Sequence, residues 1–293
     1  MVVAASSAAS WALFKEQVDD TIIKALQPKI IYPILCKTYP ALGPSVEYNV
    51  TDSWLDADDT GEAGEYKSKV MSFTRKFATI KDVGVAPRIP INWIKDARWD
   101  LVNDHVEAIG FGIARKLNSD FLSAVNLYVA GGTVDGQTYS AVTDNLLTAT
   151  AYWSATSADI LNDISRALGQ LGAENAGEGK KYLIVHPYAM QYIRLDPNLV
   201  KYLNYGDPAL IQRGIYPTPF GVDILETSQA ATTYALLVNA DLASLKYYER
   251  EPLTTEMEKS ARSKNLDIVA YTRYAFACGR PKGIVRINAI AAS

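Results

Sequence analysis

Apolar side chains recur at Val102, Val106, Ile109, Ile113, Leu117, Phe121 and Val125. Spacings of three and four are the repeat of one helical face. No proline follows Pro90 until Pro187, so the pattern predicts one unbroken helix from Asp96 to Leu127. At 1.5 Å per residue it would run roughly 45–50 Å, about three times the average helix of a globular domain. Asp100, Asn103, Asp104, Glu107, Arg115, Lys116 and Asp120 occupy the other faces. Such a rod has one dry side and wet or shared flanks, a shape that suits a wall better than an enzyme core.

The pattern elsewhere is shorter in range. Residues 1–44 read as an arm with one amphipathic helix, its stripe formed by Trp11, Phe14, Val18, Ile22 and Ala25. Pro28 ends that helix, and Pro33, Pro40 and Pro44 predict an extended path for the rest. Residues 45–89 predict a long hairpin, one strand carrying Val46, Tyr48, Val50 and Trp54, the other running from Tyr66 to Ile80 through Val70, Phe73 and Phe77. Such a hairpin is marginal alone in water and has to rest on something. After the long helix, Ala130-Gly131-Gly132 and Val134-Asp135-Gly136 mark turns. A helix over Ile160, Leu161, Ile164, Leu168 and Leu171 is expected to be capped by Thr156 or Ser157 and to end at Gly172. Strands are predicted at Tyr182–Val185, Phe220–Glu226 and Tyr234–Val238, with a helix opened by Pro187 and two short helical segments punctuated by Asp196-Pro197 and Gly206-Asp207-Pro208. Leu245–Arg250 and Leu266–Ala277 alternate as an antiparallel pair joined by a charged link, Leu253–Lys264. Gly283–Ala289 is the final strand. The fold class is α+β.

Composition narrows the function. The 293 residues are 48% hydrophobic and 21% charged, with a formal charge of −3, which argues against a protein whose main affinity is for nucleic-acid phosphates. No stretch approaches the ~18 consecutive apolar residues of a membrane span, and the Ala-rich start lacks the basic region of a secretory leader. Only Cys36 and Cys278 are present. They read as two buried thiols, with a single bridge between them left open.

The chemistry of catalysis is mostly missing. His105 falls inside the long helix and His186 ends a strand; neither has a serine elbow or a cysteine motif beside it. Gly110-Phe111-Gly112 begins a dinucleotide fingerprint, but Arg115 replaces the third glycine and the run lies within a helix. Those glycines are better explained by close packing. The acidic stretch at 55–65 matches the first half of a calcium loop at Asp56, Asp58, Thr60 and Gly61, yet its twelfth position is Lys67, which cannot supply the bidentate carboxylate. No metal and no cofactor are expected. Eighteen tyrosines suit either interfaces or cores.

The order of parts (arm, long hairpin, long helix, α+β lobe, returning strand pair, final strand) resembles the Hong Kong 97-like fold of tailed-virus major capsid proteins. LIVHPYAMQYI, GIYPTPFGVDILETS and KNLDIVAYTRYAFACGRPKGIVRINA are similar to that family's entry into its axial domain, its turn into a central strand, and its closing strands. The resemblance implies an N-terminal arm at 1–44, an E-loop at 45–89, a peripheral P-domain at 90–155 and 241–277 containing the spine helix, and an axial A-domain at 156–240 and 278–293.

It further implies a structural protein of the virion, assembled in the host cytoplasm. Copies of the chain would form hexamers and pentamers in an icosahedral shell around double-stranded DNA, which they would contact non-specifically. Separate scaffolding and portal proteins, and in some shells cement proteins, would be partners; a membrane would not. Trp11 of the arm, Asp56, Asp58, Asp59, Glu62 and Lys67 of the loop tip, and Arg88 and Arg98 are the expected inter-subunit contacts. Some relatives weld subunits by a lysine–asparagine bond assisted by a glutamate. Here Asn265 is followed by no glutamate before Arg280, so the shell is expected to be non-covalent. An encapsulin-type shell packaging enzyme cargo, and a soluble enzyme with an unrecognised site, are the alternative readings.

Overall fold

The computed structural model describes Val18, residues 20–22, 30–51, Val70, and residues 73–92, 99–196, 219–260 and 264–291. The first half runs α1 (Tyr32–Leu35), β1 (Lys37–Pro40), β2 (Ser45–Thr51), β3 (Phe73–Thr79), β4 (Lys81–Val85), β5 (Arg88–Pro90), α2 (Trp99–Ala130), β6 (Gly132–Val134), β7 (Gln137–Tyr139) and β8 (Leu146–Thr148). The second half runs α3 (Ile160–Ala173), β9 (Lys181–Val185), α4 (Pro187–Leu195), β10 (Val222–Glu226), β11 (Tyr234–Asn239), β12 (Leu245–Ser260), β13 (Asn265–Cys278) and β14 (Ile284–Asn288).

The long helix is α2, and its predicted stripe is the dry one. Val106, Ile109, Ile113, Leu117, Phe121 and Val125 are all buried. So are Ala114, Leu122, Ala124, Tyr128 and Val129, which widens the buried surface beyond one seam. The reason is that two sheets share the helix. One has the order β1-β12-β13-β4, with β5 also on β13; the other has the order β10-β9-β11-β14-β8. Each sheet sends a polar side chain to the helix. The Tyr274 hydroxyl of β13 donates to Asp120 at 2.9 Å, and the Arg286 guanidinium of β14 donates to Asn126 at 2.7 Å. The helix stops where Gly131 turns to φ +82 and its N–H bonds back to Leu127. A Cβ there would stand 2.9 Å from the Ala141 nitrogen, so the left-handed cap admits only glycine.

The second sheet is covered on both faces, and its strands divide their residues accordingly. Leu183, Val185, Ala235, Leu237, Val285 and Ile287 pack with Ile160, Ile164 and Leu171 of α3 and with Ala189 and Ile193 of α4. The intervening Ile184, Leu236, Val238 and Ile284 join the cluster built on α2. At the N-terminus of α3, the Asp159 carboxylate accepts from the Asn162 N–H. Buried Asp163 then pins the preceding segment, accepting from the Thr150 N–H at 3.0 Å and the Trp153 indole at 3.1 Å.

The first sheet carries an aromatic core. In β13, Leu266, Ile268, Ala270, Thr272, Tyr274, Phe276 and Cys278 are buried at every second position. Tyr32 stacks 4.2 Å from Tyr247, which neighbours Tyr274 and Phe276 at 5.8 and 5.4 Å between ring centroids. Burial raises the phenol pKa of Tyr247 and Tyr274 well above the usual value, so these hydroxyls stay protonated. The question left open by the tyrosine count resolves in favour of the core for Tyr32, Tyr48, Tyr128, Tyr139, Tyr247, Tyr248 and Tyr274.

Four local expectations need correction. Residues 30–35 were expected to be extended, but Tyr32–Leu35 make one helical turn with Pro33 in its first turn, where the missing N–H costs nothing. The cap of α3 is Asp159 rather than Thr156 or Ser157. The charged stretch from Leu253 is no link. It continues β12 to Ser260, paired with β13. Its polar residues bond across the β12–β13 pair, Glu256 accepting from the Tyr271 hydroxyl and Glu251 pairing with Arg273, both at 3.0 Å. Pro252 sits within the register shift between Glu251 and Thr254, where no ladder N–H is required of it. Finally, Leu146–Thr148, too short to mark from pattern, is a strand beside β14. The two helical segments expected after Asp196 fall outside the described residues, as does most of the arm helix, of which Val18 and residues 20–22 are helical.

Cys36 and Cys278 are unbridged and buried. Cys36 precedes Lys37, the partner of Lys246, while Cys278 pairs with Leu245. Their backbones therefore flank one intervening strand, with Cα atoms about 9–10 Å apart at the usual inter-strand spacing, beyond the roughly 7 Å Cα reach of a disulfide. Burial pushes the Cys278 thiol up to about 12 and raises Cys36 as well. A thiol-specific reagent at neutral pH is therefore expected to label neither cysteine in the native protein and both after denaturation. Labelling of one native thiol at a free-thiol rate would contradict this packing. A second expectation concerns Gly112, inside α2, where an added Cβ would meet only the Val85 methyl at 3.8 Å. Gly112→Ala should raise unfolding stability by about 0.5–1 kcal/mol through helix propensity, measured by denaturant titration.

Candidate functional site

His186 is the N-cap of α4, its Nδ1 accepting from the Tyr188 N–H at 3.2 Å. His105 lies within α2. Among the described residues there is no group of three metal-ligating side chains, and no helix is long and apolar enough to cross a membrane. What the chain does present is apolar surface on its outside.

The clearest case is the β2–β3 hairpin, a two-stranded sheet of its own. Its register pairs Ser45 with Thr79 through Thr51 with Phe73. Alternation therefore puts Tyr48, Val50 and Ala78 on one face and Glu47, Asn49, Thr51, Phe73, Arg75 and Phe77 on the other. The first face is buried. The second leaves Phe73 54% and Phe77 45% exposed, flanking the Arg75–Glu47 ion pair of 3.2 Å. Two phenyl rings on the wet side of a ribbon are costly for an isolated subunit, at roughly 25 cal/mol for each Å² left in water. Exposed apolar patches of this kind mark contact sites.

The buried face is held by the short hairpin β6–β7. The Tyr48 and Tyr139 hydroxyls bond to each other, and burial raises the pKa of both. The Lys76 ammonium donates to the Thr138 carbonyl and lies 4.0 Å from the centre of the Tyr139 ring. The Thr51 N–H donates to the Gly279 carbonyl at 2.8 Å. The hairpin thus rests on the body, as its length required.

A second apolar surface lies along α2. A groove of about 630 Å³ is lined by the apolar Ile30, Ile31, Ile34, Phe111 and Ala114 together with Arg115, Asn118 and the polar run from Glu226 to Gln229. Ile34 and Phe111 are substantially exposed. In the second lobe Tyr188, Leu195 and Phe220 are exposed in the same way.

Of the residues expected at subunit contacts, Arg88 is described: it lies on β5, bonded to Asp267 at 2.9 Å, with its side chain still 65% exposed. That carboxylate raises the pKa of the guanidinium further. Trp11, Asp56, Asp58, Asp59, Glu62, Lys67 and Arg98 lie outside the described residues. Sequence reasoning passed over Phe73, Phe77 and Phe111 as ordinary strand and helix residues. The signal for the first two was present. Once Val46, Tyr48 and Val50 define the inward face, an antiparallel partner ending near Pro44 places Phe73 and Phe77 outward.

Comparisons with known proteins agree with this picture. The family model for phage capsid protein matches residues 88–287, about two thirds of the chain. No curated protein matches. Among solved structures, the capsid of cyanophage P-SCSP1u is similar with a TM-score of 0.68 at 13% identity, over 90% of this chain and 89% of that one. The virus-like particle from Pyrococcus furiosus is similar with a TM-score of 0.62 at 13% identity, over 94% and 99%. A protein of Mycobacterium phage Che8 is similar with a TM-score of 0.62 at 17% identity, over 88% and 91%. Identities this low establish the fold, which is the Hong Kong 97-like one that the order of elements resembles. Because the family model spans the long helix and strands of both sheets, the chain belongs to the phage capsid protein family, whose role is structural rather than enzymatic: a component of the virion that assembles with copies of itself.

Proposed function

We propose that this chain is the major capsid protein of a tailed virus, forming hexamers and pentamers that close into an icosahedral shell around double-stranded DNA. The observation that carries the reading is the outward pair Phe73 and Phe77 on a hairpin separate from both main sheets. A surface that is costly in the free subunit is covered when copies meet. Heterologous contacts of this type close into rings, and several modest contacts per subunit give a strong lattice through multivalency. In this reading residues 1–44 are the arm, 45–89 the E-loop, 90–155 and 241–277 the P-domain, and 156–240 with 278–293 the A-domain. The strand Leu146–Thr148 is hydrogen-bonded to the A-domain sheet. Arg88, with Trp11, Asp56, Asp58, Asp59, Glu62, Lys67 and Arg98, contributes to contacts between subunits. The near-neutral charge of −3 suits a wall that encloses DNA without adhering to its phosphates. Assembly takes place in the host cytoplasm with separate scaffolding and portal proteins, and cement proteins where the shell needs them.

The direct test is electron microscopy and sedimentation of the purified protein. Capsomers or megadalton particles are expected, and a compact monomer at high concentration would refute the reading. Particle contents distinguish a virus from an enzyme-packaging shell: double-stranded DNA in tailed particles supports the first, protein cargo in small uniform shells the second. Replacing Phe73 and Phe77 together by serine should leave the unfolding midpoint of the subunit nearly unchanged. The same change should reduce assembled material at least tenfold in sedimentation. Assembled particles boiled in detergent should run as a single subunit band, since the Asn265 region carries no glutamate to assist a covalent weld; a ladder of multimers would overturn the non-covalent assignment.

A further inference from the structure

The chain leaves the hairpin and enters the first sheet within three residues. Thr79 ends β3, Ile80 makes the corner and Lys81 begins β4. Both residues flanking that corner bind one aspartate. The Thr79 N–H donates to the Asp135 carbonyl at 3.0 Å, and the Lys81 ammonium pairs with the Asp135 carboxylate. The carboxylate's second oxygen accepts from the Phe276 N–H of β13 at 3.0 Å. Asp135 itself stands in the tight turn between β6 and β7, at φ +50, followed by Gly136 at φ +84. A Cβ on Gly136 would lie 3.2 Å from the Thr79 hydroxyl, so the turn also seats the corner sterically. The Asp135 side chain is 1% exposed and that of Lys81 43%.

We infer that Asp135 is the pin of a latch: the β6–β7 turn fixes the angle at which the β2–β3 hairpin leaves the body, and the pin is where that angle is released. Three observations converge on it. The carboxylate binds β4, β13 and, through its own backbone, β3, so movement of the hairpin about its corner has to break at least one of these bonds. Two attachments of the inner face, Tyr48 to Tyr139 and Lys76 to Thr138, reach the same short hairpin. The stem's other described tie, from Thr51 to Gly279, also reaches the end of β13. A hairpin that carries Phe73 and Phe77 to a neighbour must present them at a set angle, and a charged pin is a switchable way to set it. This last step rests on the shell reading above; the latch itself does not.

Hydrogen exchange on the full-length protein tests the latch. Asp135→Asn keeps the size of the side chain and an acceptor for the Phe276 N–H while removing the charge that holds Lys81. Amides of β3 and of the corner, Thr79 to Lys81, are expected to exchange at least tenfold faster in this variant. Amides of α2, β9, β11 and β14 should stay within about twofold of the parent. Lys81→Met removes the other half of the pair and should reproduce the pattern. Unchanged exchange at the corner in both variants, or a uniform rise across the chain, would overturn the latch. Sedimentation of the same samples separates the two ideas. Loss of regular particles in the variants alone supports the coupling of angle to assembly, and variants that assemble as the parent does refute it. A parent that never assembles refutes the shell reading and leaves the exchange result to decide the latch.

Discussion

The apolar surface of α2 is wider than one sheet can cover, and that mismatch organises the molecule. Its 32 residues carry the expected stripe from Val106 to Val125 and a flanking set at Leu122, Tyr128 and Val129. Two sheets answer the two sets, each adding a hydrogen bond to a polar position on the helix, Asp120 for one and Asn126 for the other. Burying a large apolar side chain contributes roughly 1.5–3 kcal/mol, so covering both sides at once outweighs the entropy of ordering two separate sheets along a single rod. The resulting body is built along the helix instead of around a central pocket. Among the described residues, the buried polar groups Asp163, Asn145, Asn239 and Asp135 are accordingly spent on backbone N–H and carbonyl groups that join elements together.

The parts of this plan that were legible in the sequence are those with one period and one environment. The helix showed its 3.6-residue repeat over seven turns, and β13 showed strict alternation from Leu266 onward. Both are found where expected, the helix running three residues past its predicted end to Ala130. The failures share a cause, which is that neighbours in space decide them. Leu253–Ser260 reads as a charged link because six of its eight side chains are polar, but pairing with β13 makes it a strand, with Glu256 and Glu258 exposed and Thr255 buried. Leu146–Thr148 gains strand geometry only because β14 lies beside it. Tyr32–Leu35 contains a proline that argues for extension, and the helical turn is tolerated because Pro33 sits where no donor is needed. Asp159 outcompetes Thr156 and Ser157 as a cap because the buried anchor at Asp163 sets where the first turn of α3 begins.

The candidate contact surface was legible in a different degree. Its location on the long hairpin followed from the pattern, while the residues that face outward followed only from register. Phe73 and Phe77 are apolar and sit in a strand, so by type alone they belong inside; Thr74, Lys76 and Ala78 on the opposite face look less suited to burial. The structure inverts that expectation because Tyr48 and Val50 on the partner strand define the inner face, and Lys76 is satisfied there by a carbonyl and an aromatic ring. A folding rule based on residue type is thus overruled by pairing, and the violation falls where a structural protein meets its copies. The tyrosines show the converse. Their abundance suited interfaces and cores alike, and among the described residues seven are buried within this one chain.

A shell subunit faces two demands that pull against each other. It has to fold alone and remain soluble, and it has to bind identical copies at several edges. The chain meets the first with a double-sided core on α2 and on the second sheet, and meets the second with exposed apolar groups that include those on its hairpin, beside its arm-side groove and on its second lobe. Keeping these patches apart limits the apolar area at each, which guards against disordered aggregation, while their separate locations let contacts form in several directions. Rigidity between the patches then matters as much as their composition, because a ring closes only if each subunit holds its contact surfaces at a repeatable angle. The helix supplies that rigidity along one axis. At the hairpin the corresponding element is the corner seated on the β6–β7 turn, where β4 and β13 meet the buried Asp135 carboxylate and β3 meets the backbone carbonyl of the same residue.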